Sequence, residues 1–355
     1  MRYLSTLNVF LLSLLVGGIH TAAAAEESLQ DAPVPLKMSE FSLSGYGSFT
    51  FNAPTAADAP AGGPMNLSLD ELSLFGSGHF NQILNPFFEV EIDNDTLLQQ
   101  GGNPYSAGAP HVVLERLYND SYFTNKLSLR IGKMLSPVGY WNLVHAAPLM
   151  LTTTRPDITY YGFSEFVTGA SLLYSGDMRL LPDMQVYMQP GGELHPRTLD
   201  LVIREYEHIS GLHLNWPSGL EDRLGLSIQH AQIKDTTVEQ TLIGFNYSKE
   251  FDRLAFDSEG IHTHISGTDV SQPRVQDNEW GAYAQGAYTL RDYWKLVGRY
   301  EYFAERTSMT ASRNALLGVN YKTESPYVWK LEYIKQYGNL LDIQTGLYAS
   351  VSRMF

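Results

Sequence analysis

In the stretch "FFEVEID", Glu89, Glu91 and Asp93 stand two residues apart and alternate with Phe88, Val90 and Ile92. The same spacing pairs Arg299 with Glu301 in "YWKLVGRYEYF" and Lys330 with Glu332 in "YVWKLEYIK". Side chains at every second position share one face of an extended strand. Bond-making chemistry would need partners that the sequence lacks. There is no cysteine, which excludes thiol catalysis, disulfides and Cys-ligated metals. Neither H-E-x-x-H nor G-x-S-x-G occurs, and the Gly-rich "GGP" and "QQGG" stretches lack a Walker lysine. His262 and His264 share a strand face, but two ligands are too few for a zinc site, so they are expected to be an idle pair in a lumen or loop. What rows of mixed charge can do without breaking bonds is set a field along a wet wall and so bias which ions pass.

Those rows need strands to hold them, and strands run through the whole chain. Of 355 residues, 44% are hydrophobic and 17% charged; the net charge of −14 argues against general nucleic-acid binding. The first 25 residues read as a secretory signal peptide: Arg2, the apolar run "VFLLSLLVGGI" and a small-residue cleavage site before Glu26. Residues 26–40 form a short polar lead-in, with no room for a plug domain, and 41–355 are one domain. In "FSLSGYGSFTF", Phe41, Leu43, Phe49 and Phe51 oppose Ser42, Ser44, Tyr46, Ser48 and Thr50. With this one there are about sixteen such runs, at roughly 20 residues per strand and connection, with short and long connections alternating. In the final run, "DIQTGLYASVSRMF", Ile343, Leu347, Ala349, Val351 and Phe355 oppose Tyr348, Ser350 and Ser352.

An antiparallel transmembrane β-barrel explains this pattern better than a soluble sandwich. The runs reach the nine or so residues that a tilted bilayer crossing needs. Their polar faces carry Ser, Gly, Glu and Arg, and Tyr and Trp gather near strand ends, where interfacial girdles sit. Closure in lipid demands that the last strand pair with the first, and the ending on Phe355 resembles the recognition strand that outer-membrane proteins present to the barrel-assembly machinery. Arg353 occupies an outward slot near the end, where snorkelling would carry its charge to the interface.

After the fifth run, residues 135–165 form a long segment with neither strand nor helix period, broken by Pro137, Pro148 and Pro156. A loop of this length is functional or folded inward. Trp141, Asn142, His145, Arg155 and Asp157 are its constriction candidates; Arg155 either meets passing solute or pairs with a wall carboxylate and holds the loop down. The run from Leu114 to Ile158 resembles the O/P-type, phosphate-selective porin family through Arg130, Gly132, Lys133, Pro137, Gly139, Asn142, Pro148, Arg155 and Pro156, and "WGAYAQGAYTLRDYWKLVGRYEYF" is similar too. The resemblance implies a sixteen-stranded, trimeric diffusion channel in the bacterial outer membrane, in contact with lipid and passing small polar solutes or ions, without a cofactor. Phosphate selectivity does not follow, because the pore-lining candidates are mixed in sign: Glu71, Glu89, Glu91, Asp93, Glu301, Glu332 and Asp342 against Arg130, Lys295, Arg299 and Lys330. The acidic excess predicts a weak cation preference, unless the charges pair across the wall and select for nothing. Two other readings stay open: a scaffold or binding barrel without open conductance, and an outer-membrane hydrolase.

Overall fold

The computed structural model describes residues 40–55, 64–102, 111–176, 181–197, 204–217, 223–269, 273–338, 341 and 343–355. The predicted signal peptide, the lead-in before Glu40, and Asp342 lie outside the described residues. Sixteen strands form one closed antiparallel barrel, each paired with its neighbours in chain order. They are β1 (Glu40–Pro54), β2 (Asn66–His79), β3 (Pro86–Gln99), β4 (His111–Tyr122), β5 (Leu127–Leu135), β6 (Phe166–Tyr174), β7 (Asp183–Gln189), β8 (Tyr206–Pro217), β9 (Arg223–Ile233), β10 (Glu239–Phe251), β11 (Leu254–Ser266), β12 (Asn278–Arg291), β13 (Trp294–Ala304), β14 (Ser312–Lys322), β15 (Tyr327–Gly338) and β16 (Gly346–Met354). No described helix is long and apolar enough to cross a membrane.

The alternation of the sequence becomes the two faces of the wall. Along β10, Thr241, Ile243, Phe245 and Tyr247 are exposed outward, while Gln240, Leu242 and Asn246 are buried inward. Along β12, Trp280, Ala282, Ala284 and Tyr288 point out and Glu279, Tyr283 and Gln285 point in. The 13 residues of β10 span about 43 Å at ~3.3 Å each, enough to cross the apolar band of an outer membrane with a tilt of about 40°.

β1 closes on β16 in register from Tyr46↔Met354 to Pro54↔Gly346. Beyond it, Gly45 and Phe355 exchange backbone hydrogen bonds of 2.9 and 2.8 Å, and Ser44 Oγ donates to the Phe355 carbonyl at 2.9 Å. The Phe355 ring lies where any side chain at position 45 would sit, so this approach requires glycine there. Arg353 does not snorkel: it is 7% exposed, with its guanidinium 5.0 Å from the Tyr327 ring centroid and a 3.0 Å hydrogen bond to the Tyr327 hydroxyl. His262 and His264 also depart from expectation, since they are exposed on the outer face of β11, between buried Ile261, Thr263 and Ile265.

Candidate functional site in the barrel lumen

The β5–β6 loop folds into the barrel. Its apolar residues Val138, Trp141, Met150, Ile158, Tyr161 and Phe163 pack on Leu242, Ile261, Tyr283 and Phe303 of the β10–β13 wall. These four wall positions face inward, where a wet lumen would carry polar groups, and they make an apolar seat for the loop. The loop holds one 3-10 turn (Trp141–Leu143) and one short helix, α1 (Asp157–Tyr161).

A chain without regular structure inside a barrel leaves backbone N–H and C=O groups that must find partners. Charged wall side chains supply them. Glu332 accepts from Thr153 N at 2.9 Å and Thr154 N at 2.8 Å. Glu301 accepts from Asp157 N at 2.8 Å, and the Asp157 carboxylate accepts from Ser312 and Asn314, both at 3.0 Å. Arg299 donates to Thr152 Oγ1 and the Thr154 carbonyl at 2.8 Å, and Lys330 Nζ donates to the carbonyls of Ala147 (2.6 Å) and Thr152 (3.1 Å). Glu259 accepts from Trp141 N at 2.8 Å and from the Tyr283 hydroxyl at 2.7 Å. Gly139, at φ +70°, passes against the Glu259 carboxylate, where a Cβ would collide with it.

A second group of charges fixes the loop's other edge. Arg155 donates to Glu165 (2.5 Å), Asn142 Oδ1 (2.9 Å) and the Thr159 carbonyl (2.6 Å). Its carboxylate partner therefore belongs to the loop and not to the wall. Arg197, from the β7–β8 connection, bonds to Glu115, to Glu165 at 3.2 Å and approaches Glu91 at 3.8 Å. His145 hydrogen-bonds the Asn142 carbonyl through Nδ1 (3.1 Å), and its Nε2 lies 3.5 Å from Glu115. Burial works against its charge, but the Glu115 carboxylate, with Glu165 behind it, outweighs burial and raises the imidazole above its ordinary range.

Between the loop and the wall of β1–β3, β15 and β16 lies a cavity of about 340 Å³. Two β-bulges shape its surroundings. Phe49 pairs with Leu69 and Ser48 with Glu71, so Asp70 is an extra residue in β2. Val90 pairs with Leu114 and Glu89 with Arg116, so Glu115 is an extra residue in β4. A bulge re-aims a side chain that the strict alternation would turn away. Asp70 and Glu71 consequently both line the cavity, with Glu91 and Asp93. Among the described residues, Asp70, Glu71 and Asp93 carry no ion pair, and the buried Ser48 hydroxyl has no hydrogen-bond partner.

The remaining pore-lining candidates sit elsewhere in the lumen. Glu89 is wholly buried against Arg116. Arg130 makes a two-pronged contact with Asp120 (both 2.8 Å) over the Tyr118 ring, at 3.9 Å. Lys295 is half-buried on the inward face of β13. Tyr46, Phe75, Phe87 and Tyr118 form an aromatic row across β1–β4, with successive centroids 6.4, 6.2 and 5.0 Å apart. Asp70, Glu115, Arg116, Glu165 and Arg197 are the site residues that alternation alone did not select, while it placed Ser48 on the polar face without marking it as a site residue. A signal for the two bulges exists: the outward apolar spacing changes from two to three between Leu69 and Leu72, and again between Leu114 and Leu117.

The sequence matches no protein-family model and no curated protein. The fold matches solved structures at low identity. OmpT, an outer-membrane protein of Vibrio cholerae, superposes with a TM-score of 0.61 at 11% identity, covering 91% of this chain and 99% of that one. The anion-selective porin from Comamonas acidovorans gives 0.61 at 11%, covering 89% and 100%. OmpF of Salmonella typhi, solved in complex with daunomycin, gives 0.57 at 11%, covering 89% and 97%. At these identities the likeness is one of architecture. The chain has the sixteen-stranded barrel fold of bacterial outer-membrane porins, with the β5–β6 loop seated in its lumen.

Proposed function

We propose that this protein is a bacterial outer-membrane porin. Small polar and charged solutes diffuse through the passage between the β5–β6 loop and the β1–β3 wall, and no bond is made or broken. Residues 1–25 direct export, 26–40 lead into the barrel, and the strand ending at Phe355 engages the barrel-assembly machinery. The protein assembles as a homotrimer; OmpT of Vibrio cholerae has been solved in a trimer form. The motif residues Arg130, Gly132, Lys133, Pro137 and Arg155 support kinship with O/P-type porins. The passage prefers cations weakly.

One observation carries this reading: the lumen keeps a cavity of about 340 Å³ whose wall holds Asp70, Glu71 and Asp93, which make no ion pair among the described residues. Most of the lumen's other charges are engaged by the loop or by one another, which leaves the open part bordered chiefly by carboxyl groups. The test is reconstitution in planar bilayers, with reversal potentials under a salt gradient and permeation of graded sugars. Stepwise conductance with cation-directed reversal potentials supports the reading, and anion-directed potentials refute the selectivity. A second reading, a scaffold barrel without open conductance, draws support from the dense packing of the loop on the β10–β13 wall. A folded barrel that passes no current would favour it.

A further inference from the structure

Resting on the channel reading, we infer that the cavity is a binding station for a short aliphatic diammonium ion, held between an acidic row and an apolar wall. Ser48, Glu71 and Asp93 are successive register partners across β1, β2 and β3, all on the inward face. Neighbouring strands are ~4.8 Å apart, so the row is about 10 Å long. The bulged Asp70 adds a third carboxylate beside Glu71.

None of these carboxylates has an ion pair among the described residues, and the cations nearest the cavity are already committed. Lys330 is spent on two loop carbonyls, Arg155 on Glu165 and Asn142, and Arg197 on Glu115 and Glu165. The buried Ser48 hydroxyl is a free acceptor at one end of the row. A buried polar group without a partner is costly, and so are partly buried carboxylates without one, so the site is completed by a ligand that brings positive charge and N–H donors.

The shape distinguishes among cations. No three carboxylate or imidazole groups of the described residues converge as a metal site would require. Glu71 and Asp93 stand one strand spacing apart, about 5 Å, with the Ser48 acceptor one spacing further along, which suits a ligand whose two groups of N–H donors are joined by a short chain. Ile343 and Tyr348 on the β15–β16 side give apolar surface for methylene groups. The two arginines at the cavity, Arg155 and Arg197, are each already engaged by carboxylates of the protein, so an amine without a carboxylate fits better than an amino acid.

The experiment is single-channel recording of the reconstituted full barrel with hexamethylenediamine, hexylamine, hexanediol or magnesium ion added at equal ionic strength. The expected result is concentration-dependent block by the diamine, at least tenfold weaker block by hexylamine, and none by hexanediol. In the Asp70→Asn/Glu71→Gln/Asp93→Asn variant the half-blocking concentration rises at least tenfold. Asp70→Asn alone, at a half-buried bulge position, gives a smaller rise in the same direction and keeps the test available should the triple variant misfold. Absence of block, equal block in the variants, or equal block by magnesium overturns the inference and leaves only a diffuse acidic wall. Calorimetric titration of the detergent-folded barrel with the diamine separates the two readings: binding without conductance refutes the channel and retains the site, and conductance without binding does the reverse.

Discussion

Replacing Glu332 by Ala should turn a rigid constriction into a flickering one. The carboxylate caps two consecutive backbone N–H groups of the loop, those of Thr153 and Thr154, at 2.9 and 2.8 Å. Both donors are inside the barrel, and alanine leaves both without an acceptor. At about 1–3 kcal/mol for each unsatisfied donor, the loss is roughly 2–6 kcal/mol. Since 1.4 kcal/mol is tenfold in an equilibrium, the population with this turn detached rises about 30-fold at the low end and ~10⁴-fold at the high end. The apolar seat on Leu242, Ile261, Tyr283 and Phe303 is untouched, so the barrel folds and the loop's other half stays docked. Glu332→Gln keeps the volume but offers one acceptor oxygen for two donors and turns an amide N–H toward the second, so it falls between. Single-channel recordings should show greater open-channel noise and larger mean conductance in the order wild type, Gln, Ala, with sugars too large for the wild-type pore entering the Ala variant. Identical traces for all three would show that the Glu332 contacts do not hold the loop.

Gly139→Ala combines a left-handed backbone with a Cβ driven into the Glu259 carboxylate, and should cost about 2–4 kcal/mol in urea unfolding of the refolded barrel. Deleting Asp70 removes the bulge and restores strict alternation between Leu69 and Leu72; the barrel should still fold, shown by migration on unheated gels, while the reversal potential moves toward neutrality. His145 has its proton affinity raised by Glu115 and Glu165 against the pull of burial and of Arg155, so its ion-pair contribution is complete below the ordinary imidazole value of ~6.5 and is lost as pH rises through the raised value. Reversal potentials should therefore become more cation-directed as pH climbs above that range, and His145→Gln should flatten this response.

The barrel was legible because closing a sheet with an apolar outer surface imposes one rule on every strand: apolar side chains out, backbone groups paired sideways. The period of two in "FSLSGYGSFTF" and "FFEVEID" therefore maps directly onto the observed faces. The inward loop was legible from its length and its three prolines. The division of labour among charges was not. Arg299, Glu301, Lys330 and Glu332 share the inward face with Glu71 and Asp93, and only the path of the loop decides that the first four clamp it while the other two make no ion pair among the described residues. That path depends on Leu242, Ile261 and Phe303, whose inward placement resembles ordinary hydrophobic filler in the sequence. His262 and His264 show the opposite limit, since a polar residue near a strand end fits either face, and their outward register follows from buried Ile261, Thr263 and Ile265 alone.

The junction of β1 with β16 brings together residues 311 positions apart in the chain. Joining ends that distant costs about 5 kcal/mol in loop-closure entropy, whereas each hairpin turn costs far less. This seam is therefore the natural last event of folding, an edge-to-edge zipper that fastens after fifteen hairpin contacts have rolled the sheet into a trough. Until Phe355 docks over Gly45, two unfastened borders are free to find the border of a neighbouring copy. Crowding during assembly would favour strand exchange between molecules at this one place, and a bulky residue at position 45 would hold the gap ajar.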